Sequence, residues 1–105
     1  MQIGQFQTLI EAIYGEKDKR RGVDRSFVWF VEEVGELARA LHRNDQQALA
    51  EEFADCLAWL STLASMSGID MEQAIQKYAK GCYRCHATPC RCAEPTVKAE
   101  VAVKK

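Results

Sequence analysis

The sequence predicts an all-α fold, a four-helix bundle followed by a short cysteine-rich end. Three observations point that way. Apolar residues recur at three- and four-residue intervals, no alternating strand pattern appears, and capping residues fall where the periodic stretches break. A chain of 105 residues makes one domain whose core is only just large enough to support itself.

Each element has its own signal. Ile3, Phe6, Ile10 and Ile13 give helical spacing over residues 3–14. The charged stretch EKDKRRGVD, residues 16–24, reads as a loop, with Gly15 and Gly22 flanking most of it. Asp24 is the predicted N-cap of a second helix running to about Arg43. Asn44 with Gln47 forms a capping box for a third helix reaching about Ser67, and Gly68 supplies a left-handed exit. Asp70 with Gln73 repeats the box and opens a short fourth helix ending near Gly81. Residues 1–81 therefore form the helical domain and 82–92 a cysteine knuckle. Residues 93–105, AEPTVKAEVAVKK, offer little to bury and read as a disordered tail.

Composition narrows the function classes. With 48% apolar residues, 28% charged residues and a net charge of −1, the charge balance argues against a general nucleic-acid coat or a membrane-surface patch. No apolar run is long enough for a membrane span. The start, MQIGQFQTLIEAIYGEK, lacks the features of a signal peptide. The expected compartment is the cytoplasm, where cysteines are more often metal ligands than disulfides.

Five carboxylates carry the chemistry. Glu32, Glu33 and Glu36 sit on the second predicted helix as E-E-x-x-E, and Glu52 and Asp55 follow on the third as E-x-x-D. Acids three apart share a helix face, so each helix presents a pair of carboxylates. Two such pairs facing each other repel unless a cation lies between them. Oxygen-only ligands suit a hard divalent ion, Mg²⁺ or Mn²⁺.

Helical phase weighs this against an ordinary solvated face. Phe27, Phe30, Val31, Val34, Leu37, Ala38 and Leu41 form one apolar stripe on the second helix, with Glu33 at its edge. On the third, Leu49, Phe53, Cys56, Leu57, Leu60 and Leu63 form the core stripe. Glu52 falls at its margin, and Asp55 lies in an arc with Ala48, Trp59 and Met66. A single helical Glu is most often a surface charge. Two paired sets edging into apolar arcs would suffer desolvation without ions or hydrogen bonds, which favours a metal site.

The segments SFVWFVEEVGELARAL and EEFADCLAWL, with E-E-x-x-E and E-x-x-D at their centres, resemble the MazG-type nucleotide pyrophosphohydrolases. These are an all-α superfamily, and the resemblance covers residues 1–81 in helix order. It implies a catalytic domain in which Glu33, Glu36, Glu52 and Asp55 hold Mg²⁺, and Glu32 orients the attacking water or holds a second ion. It further implies hydrolysis of a nucleoside triphosphate to monophosphate and pyrophosphate, of use in clearing non-canonical nucleotides. All five motif positions are filled.

Phosphate handling falls to side chains, because no glycine-rich phosphate loop is present. Lys17, Lys19, Arg20, Arg21 and Arg25 are five cations just before or within the start of the acidic helix. Arg25 is favoured for its place in the first turn, Arg21 is a second candidate, and Lys77 and Lys80 are alternatives. The bland account of the cluster is a solvated charged loop. Trp29 and Trp59 are candidates to stack on a base, although a helical tryptophan is more often core.

The other feature is C82-Y-R-C85-H-A-T-P-C90-R-C92. Cys82, Cys85, Cys90 and Cys92 at this density match a closed tetrahedral zinc site, with His86 as a substitute ligand. Disulfides and free thiols are the competing account, and four cysteines allow three pairings. The Cys82-x-x-Cys85-His86 spacing also spells a haem attachment motif, which finds no signal peptide and leaves Cys90 and Cys92 unexplained. Cys56 reads as inert packing and His42 as a surface or dipole-compensating group.

Two other functional classes compete. A di-iron carboxylate bundle needs Glu-x-x-His on two helices and fails, since neither histidine has a Glu three residues before it. A non-enzymatic helical adaptor with a zinc knuckle leaves the five acids without a role. Finally, four short helices cannot bury two tryptophans, four phenylalanines and the acid-bearing arcs within one subunit. The chain is expected to be a homodimer or homotetramer, the states implied by the resemblance, with pockets lined across the interface.

Overall fold

The computed structural model describes residues 1–94. Among these residues the fold is all-helical: α1 Ile3–Arg21, α2 Val23–Arg43, α3 Gln46–Met66, α4 Met71–Ala74 and a 3-10 turn, Ile75–Tyr78. The chain divides into two compact units, Met1–Ala74 and a second that begins at Ile75. Residues 95–105 of the expected tail lie outside the described residues, and Ala93 and Glu94 are exposed.

The stretch expected as a loop at residues 16–24 is mostly helix, because α1 runs on to Arg21. Glu, Lys and Arg are good helix formers, and Lys19, Arg20 and Arg21 complement the negative end of the helix dipole. The tertiary reason is Asp18, 4% exposed, which faces inward from this stretch. Gly22 alone separates α1 from α2, at φ 87° and ψ 161°, a conformation that a side chain would strain. Gly22 thus caps α2 in place of Asp24, which falls in the first turn where its charge favours the dipole.

The α2–α3 connection also shifts by one residue from expectation. Asn44 closes α2 in the left-handed conformation at φ 57°, and Asp45 is the N-cap of α3, its Oδ1 accepting from Ala48 N at 3.2 Å. Asn tolerates left-handed backbone better than Asp45's other neighbours would, so the two residues divide the exit and the entry between them. Gly68, at φ 73°, follows α3 as expected. Asp70 Oδ1 accepts from the backbone of Glu72 and Gln73 at 2.9 and 3.4 Å. The helix it opens is shorter than predicted. The α-helical hydrogen bonding stops at Ala74, and Ile75–Tyr78 continues as a 3-10 turn.

In the first unit, α2 and α3 make the most extensive helix pair and α1 packs mainly on α3. Gln7 pins α1 to the end of α3. Its Nε2 donates to Ser65 Oγ and the Ile69 carbonyl at 3.1 and 2.8 Å, and its Oε1 accepts from Met71 N at 2.8 Å. The interior of a single chain is unusually polar. Among the described residues the buried set is Ile10, Ala40, Gln7, Asp18, Ser26, Ser61 and Thr62.

The apolar stripes predicted as core are not buried within the chain. Phe27, Val31, Val34 and Leu41 on α2 are 42–55% exposed, and Phe53, Leu57 and Leu60 on α3 are 38–55% exposed. The residues buried on these two helices are instead small: Ser26, Ala40, Ser61 and Thr62. The apolar periodicity was therefore real, but the surface it marks is left open in one chain.

Candidate metal centre and adjoining pocket

The α2–α3 hairpin brings three of the five acids together. One carboxylate oxygen each from Glu33, Glu52 and Asp55 lies within 4.8 Å of the others. Glu33 and Glu52 are half-buried and Asp55 is exposed. With the acids ionised, Glu52 Oε1 is buried with no hydrogen-bond partner. An orphaned buried carboxylate oxygen beside two further acids is a poor arrangement for a bare protein and a good one for a cation. The donor set is all oxygen, which fits Mg²⁺ or Mn²⁺.

Electrostatics carry the same signature. The Glu33 carboxyl is pushed up from 4.5 to about 7, first by burial, then by a hydrogen bond shared with Glu52 and the charges of Asp55, Glu52 and Glu36. The neighbouring Cys56 thiol is also held above its ordinary value, by burial and then by Glu33, Glu52 and Asp55. Cys56 thus stays protonated beside the acids.

The other two acids are outside the group whose oxygens converge within 4.8 Å, although the charge of Glu36 still reaches Glu33. Glu36 Oε2 pairs with Arg39 Nη2 at 3.2 Å on the exposed side of α2. Glu32 is exposed.

A cavity of about 450 Å³ adjoins the trio and shares Asp55 with it. Trp29 and Trp59 line it, in T-shaped contact with ring centroids 5.6 Å apart. The Arg21 guanidinium lies 4.7 and 4.9 Å from the two indole centroids, within cation–π range of both. Arg21 Nη1 also donates to Asp18 Oδ1 at 2.8 Å and Ser26 Oγ at 3.1 Å. Ser26 passes the chain on by donating to the Gly22 carbonyl at 2.8 Å. Thr62 Oγ1 donates to Asp18 Oδ2 at 3.2 Å, so Asp18 ties α1 to α3.

Of the substrate candidates, Arg21, Trp29 and Trp59 line this cavity, as does Lys17. Arg25 is exposed and is not among its lining residues. Lys77 belongs to the second unit, with its Nζ 4.5 Å from the Tyr83 ring centroid and 5.3 Å from that of Tyr78. Asp18, Tyr14 and Thr62 escaped sequence reasoning. The sequence carries a signal for them: Ile10, Tyr14, Lys17, Asp18 and Arg21 continue one helical face through the charged stretch at residues 16–24.

The four cysteines also converge. One sulfur from each of Cys82, Cys85, Cys90 and Cys92 lies within 4.8 Å of the rest, and His86 is outside the group. All are free thiols. Backbone amides donate to three of the sulfurs: Arg84 N to Cys82, Arg91 N to Cys85 and Cys92 N to Cys90, at 3.3–3.4 Å. Such bonds favour thiolate. The Cys82 thiol is drawn down to about 6, chiefly by backbone amides, and Cys85 is lowered for the same reason. Cys92, sharing hydrogen bonds with the other sulfurs, is pushed up to about 12.

No helix among the described residues is long and apolar enough to cross a membrane. No curated protein matches the chain. The family model for the MazG nucleotide pyrophosphohydrolase domain matches residues 22–87, well over half of the chain.

Proposed function

We propose, for a chain that belongs to the MazG nucleotide pyrophosphohydrolase family, that it hydrolyses nucleoside triphosphates to monophosphate and pyrophosphate. Non-canonical nucleotides in the cytoplasm are the proposed substrates. The supporting observation is the carboxylate trio with its orphaned Glu52 oxygen, which shares Asp55 with a cavity walled by two tryptophans.

Glu33, Glu52 and Asp55 would hold the divalent ion, and Glu36, whose charge reaches Glu33, would join them by exchanging Arg39 for the ion. Mg²⁺ or Mn²⁺ bound there supplies charge neutralisation for the phosphates and lowers the pKa of water. The cavity volume lies within the range of small-molecule sites. Trp29 and Trp59 present aromatic surface to a base. Arg21, fixed by Asp18 and Ser26, keeps the indoles in place and offers positive charge to a phosphate, as does Lys17. Glu32 orients the attacking water. The water oxygen bonds to phosphorus and gives up its proton to solvent as the phosphoanhydride bond between the α- and β-phosphates breaks, leaving monophosphate and pyrophosphate.

A homo-oligomer completes the site. The exposed stripe Phe27, Val31, Val34 and Leu41 has the spacing of a helix face that packs on another helix. A second copy of the chain, in a dimer or tetramer, would cover it.

The test is a nucleotide panel with Mg²⁺, products separated into monophosphate and free phosphate, with Asp55→Asn as control. Pyrophosphate release that needs both Mg²⁺ and Asp55 is expected. No turnover, together with no effect of Mg²⁺ on melting temperature, would favour the non-enzymatic adaptor.

A further inference from the structure

Among the described residues of the second unit, packing is limited to an exposed edge contact of Tyr78 with Tyr83, ring centroids 5.8 Å apart, with Lys77 against both rings. Residues 79–94 contain no helix or strand, and none of them is buried. Yet the segment folds back sharply. Cys82 N donates to the Ala87 carbonyl at 3.1 Å and His86 N to the Cys82 carbonyl at 2.7 Å. Gly81 sits at φ 107°, and a Cβ there would meet Thr88 Oγ1 at 2.8 Å and the Ala87 carbonyl oxygen at 2.9 Å. A tight exposed loop without a hydrophobic interior needs another source of order.

The sulfurs supply it. Cys82 Sγ and Cys92 Sγ are 3.8 Å apart. A tetrahedron of zinc–sulfur bonds of about 2.3 Å has edges of about 3.8 Å, whereas a disulfide needs about 2.05 Å. Two of the N–H···S bonds run from residue i+2 to the cysteine at i, Arg84 to Cys82 and Cys92 to Cys90. Donors aimed at sulfur offset the charge of a thiolate cluster, and uncharged thiols have far less use for them.

We propose that Cys82, Cys85, Cys90 and Cys92 bind one structural zinc ion in a closed tetrathiolate site. The four sulfurs fill the tetrahedron, so no position remains for water or substrate, and the role is structural rather than catalytic. Soft thiolates separate this site from the oxygen-only carboxylate trio, so the two select different ions. Cys85, Cys90 and Cys92 are exposed, which suits a redox-inert ion better than iron. Each thiol loses its proton on coordination, and no electron is transferred.

The experiment uses the full chain. Elemental analysis of the purified protein is expected to give one zinc per chain. Cobalt substituted for it should show the visible bands of tetrahedral thiolate coordination. Cys85→Ser and Cys90→Ser should each lose the metal, while Cys56→Ser keeps it. Trypsin should spare Arg84 and Arg91 in the zinc-loaded protein and cut there rapidly after chelation. Metal-stripped wild type should take up Zn²⁺ one-to-one at about micromolar protein, which tests the site even where a serine variant misfolds. Iron in place of zinc, an intact mass lowered by disulfide formation, or reduced protein that takes up no Zn²⁺ would each overturn the assignment. None of these readouts depends on nucleotide hydrolysis.

Discussion

Replacing Glu33 with glutamine should stabilise the magnesium-free protein at neutral to alkaline pH, the reverse of the usual outcome for a half-buried residue. The Glu33 carboxyl is raised from 4.5 to about 7, with burial the largest cause. The folded state therefore prefers the protonated form. That contribution to stability is fully present below about pH 4.5 and is lost as pH rises through about 7. Moving the carboxyl from 4.5 to about 7 corresponds to about 3.4 kcal/mol. Glu33 is only half-buried, so solvent screening reduces this to about 1–2 kcal/mol. Glutamine keeps the shape of the protonated acid and cannot titrate. Glu33→Gln should thus match wild type at pH 4.5 and exceed it by about 1–2 kcal/mol at pH 8. Saturating Mg²⁺ should reverse the order at pH 8, because wild type gains a bound ion and the variant gains little. The assay is urea unfolding at fixed protein concentration with and without Mg²⁺, omitting chelators so that the cysteine cluster keeps its metal. A variant less stable than wild type at pH 8 without Mg²⁺, or one stabilised by Mg²⁺ as much as wild type, would refute the electrostatic account of the trio.

Other expectations follow from the same geometry. Asp55→Asn should lower pyrophosphate release by about 100-fold or more, read from initial rates at saturating Mg²⁺; a loss of less than about threefold would remove Asp55 from the site. Asp18→Ala should destabilise by about 3 kcal/mol, since it strands the Arg21 guanidinium and Thr62 in a largely dry setting; the urea midpoint measures this, and a change below about 1 kcal/mol would show that the pair is dispensable. Val31→Asp on the exposed α2 stripe should shift the light-scattering mass toward monomer, and a wild-type mass already monomeric at micromolar concentration would dismiss the oligomer. Asp45→Ala should cost about 1 kcal/mol in thermal unfolding through loss of the α3 cap.

Much of the site was legible from sequence because its information is local. Glu33, Glu52 and Asp55 could be placed from helical phase and motif, and their convergence needed only a short hairpin between two helices. The cysteines converge for the same reason, being crowded into eleven residues. Boundaries failed where tertiary contacts override local signals. Residues 16–21 carry so many charges that they read as solvent-exposed loop, yet one of those charges, Asp18, is buried against Arg21 and Thr62. The apolar stripes on α2 and α3 failed in the opposite sense: periodicity identifies a face that seeks cover without saying which chain covers it. Small residues were the quiet part. Nothing in Ser26 or Ser61 announces a buried position, yet both are fully buried.

The two-residue link Asn44–Asp45 joins the helices that bear the acids, and it makes their alignment a matter of counting. Each residue of helix turns the next side chain by about 100°. Adding or removing a single residue between Glu36 and Glu52 would swing one set of carboxylates away from the other unless the turn absorbed the change. The capped turn has little slack, with Asn44 already left-handed and the Asp45 side chain holding Ala48 N. Sequence length between the motifs is therefore as much a determinant of this site as the acids themselves. An engineered insertion of a whole seven-residue double turn, about 10.5 Å of helix, would restore the facing direction while separating the levels, so the hairpin acts as a ruler in both angle and height.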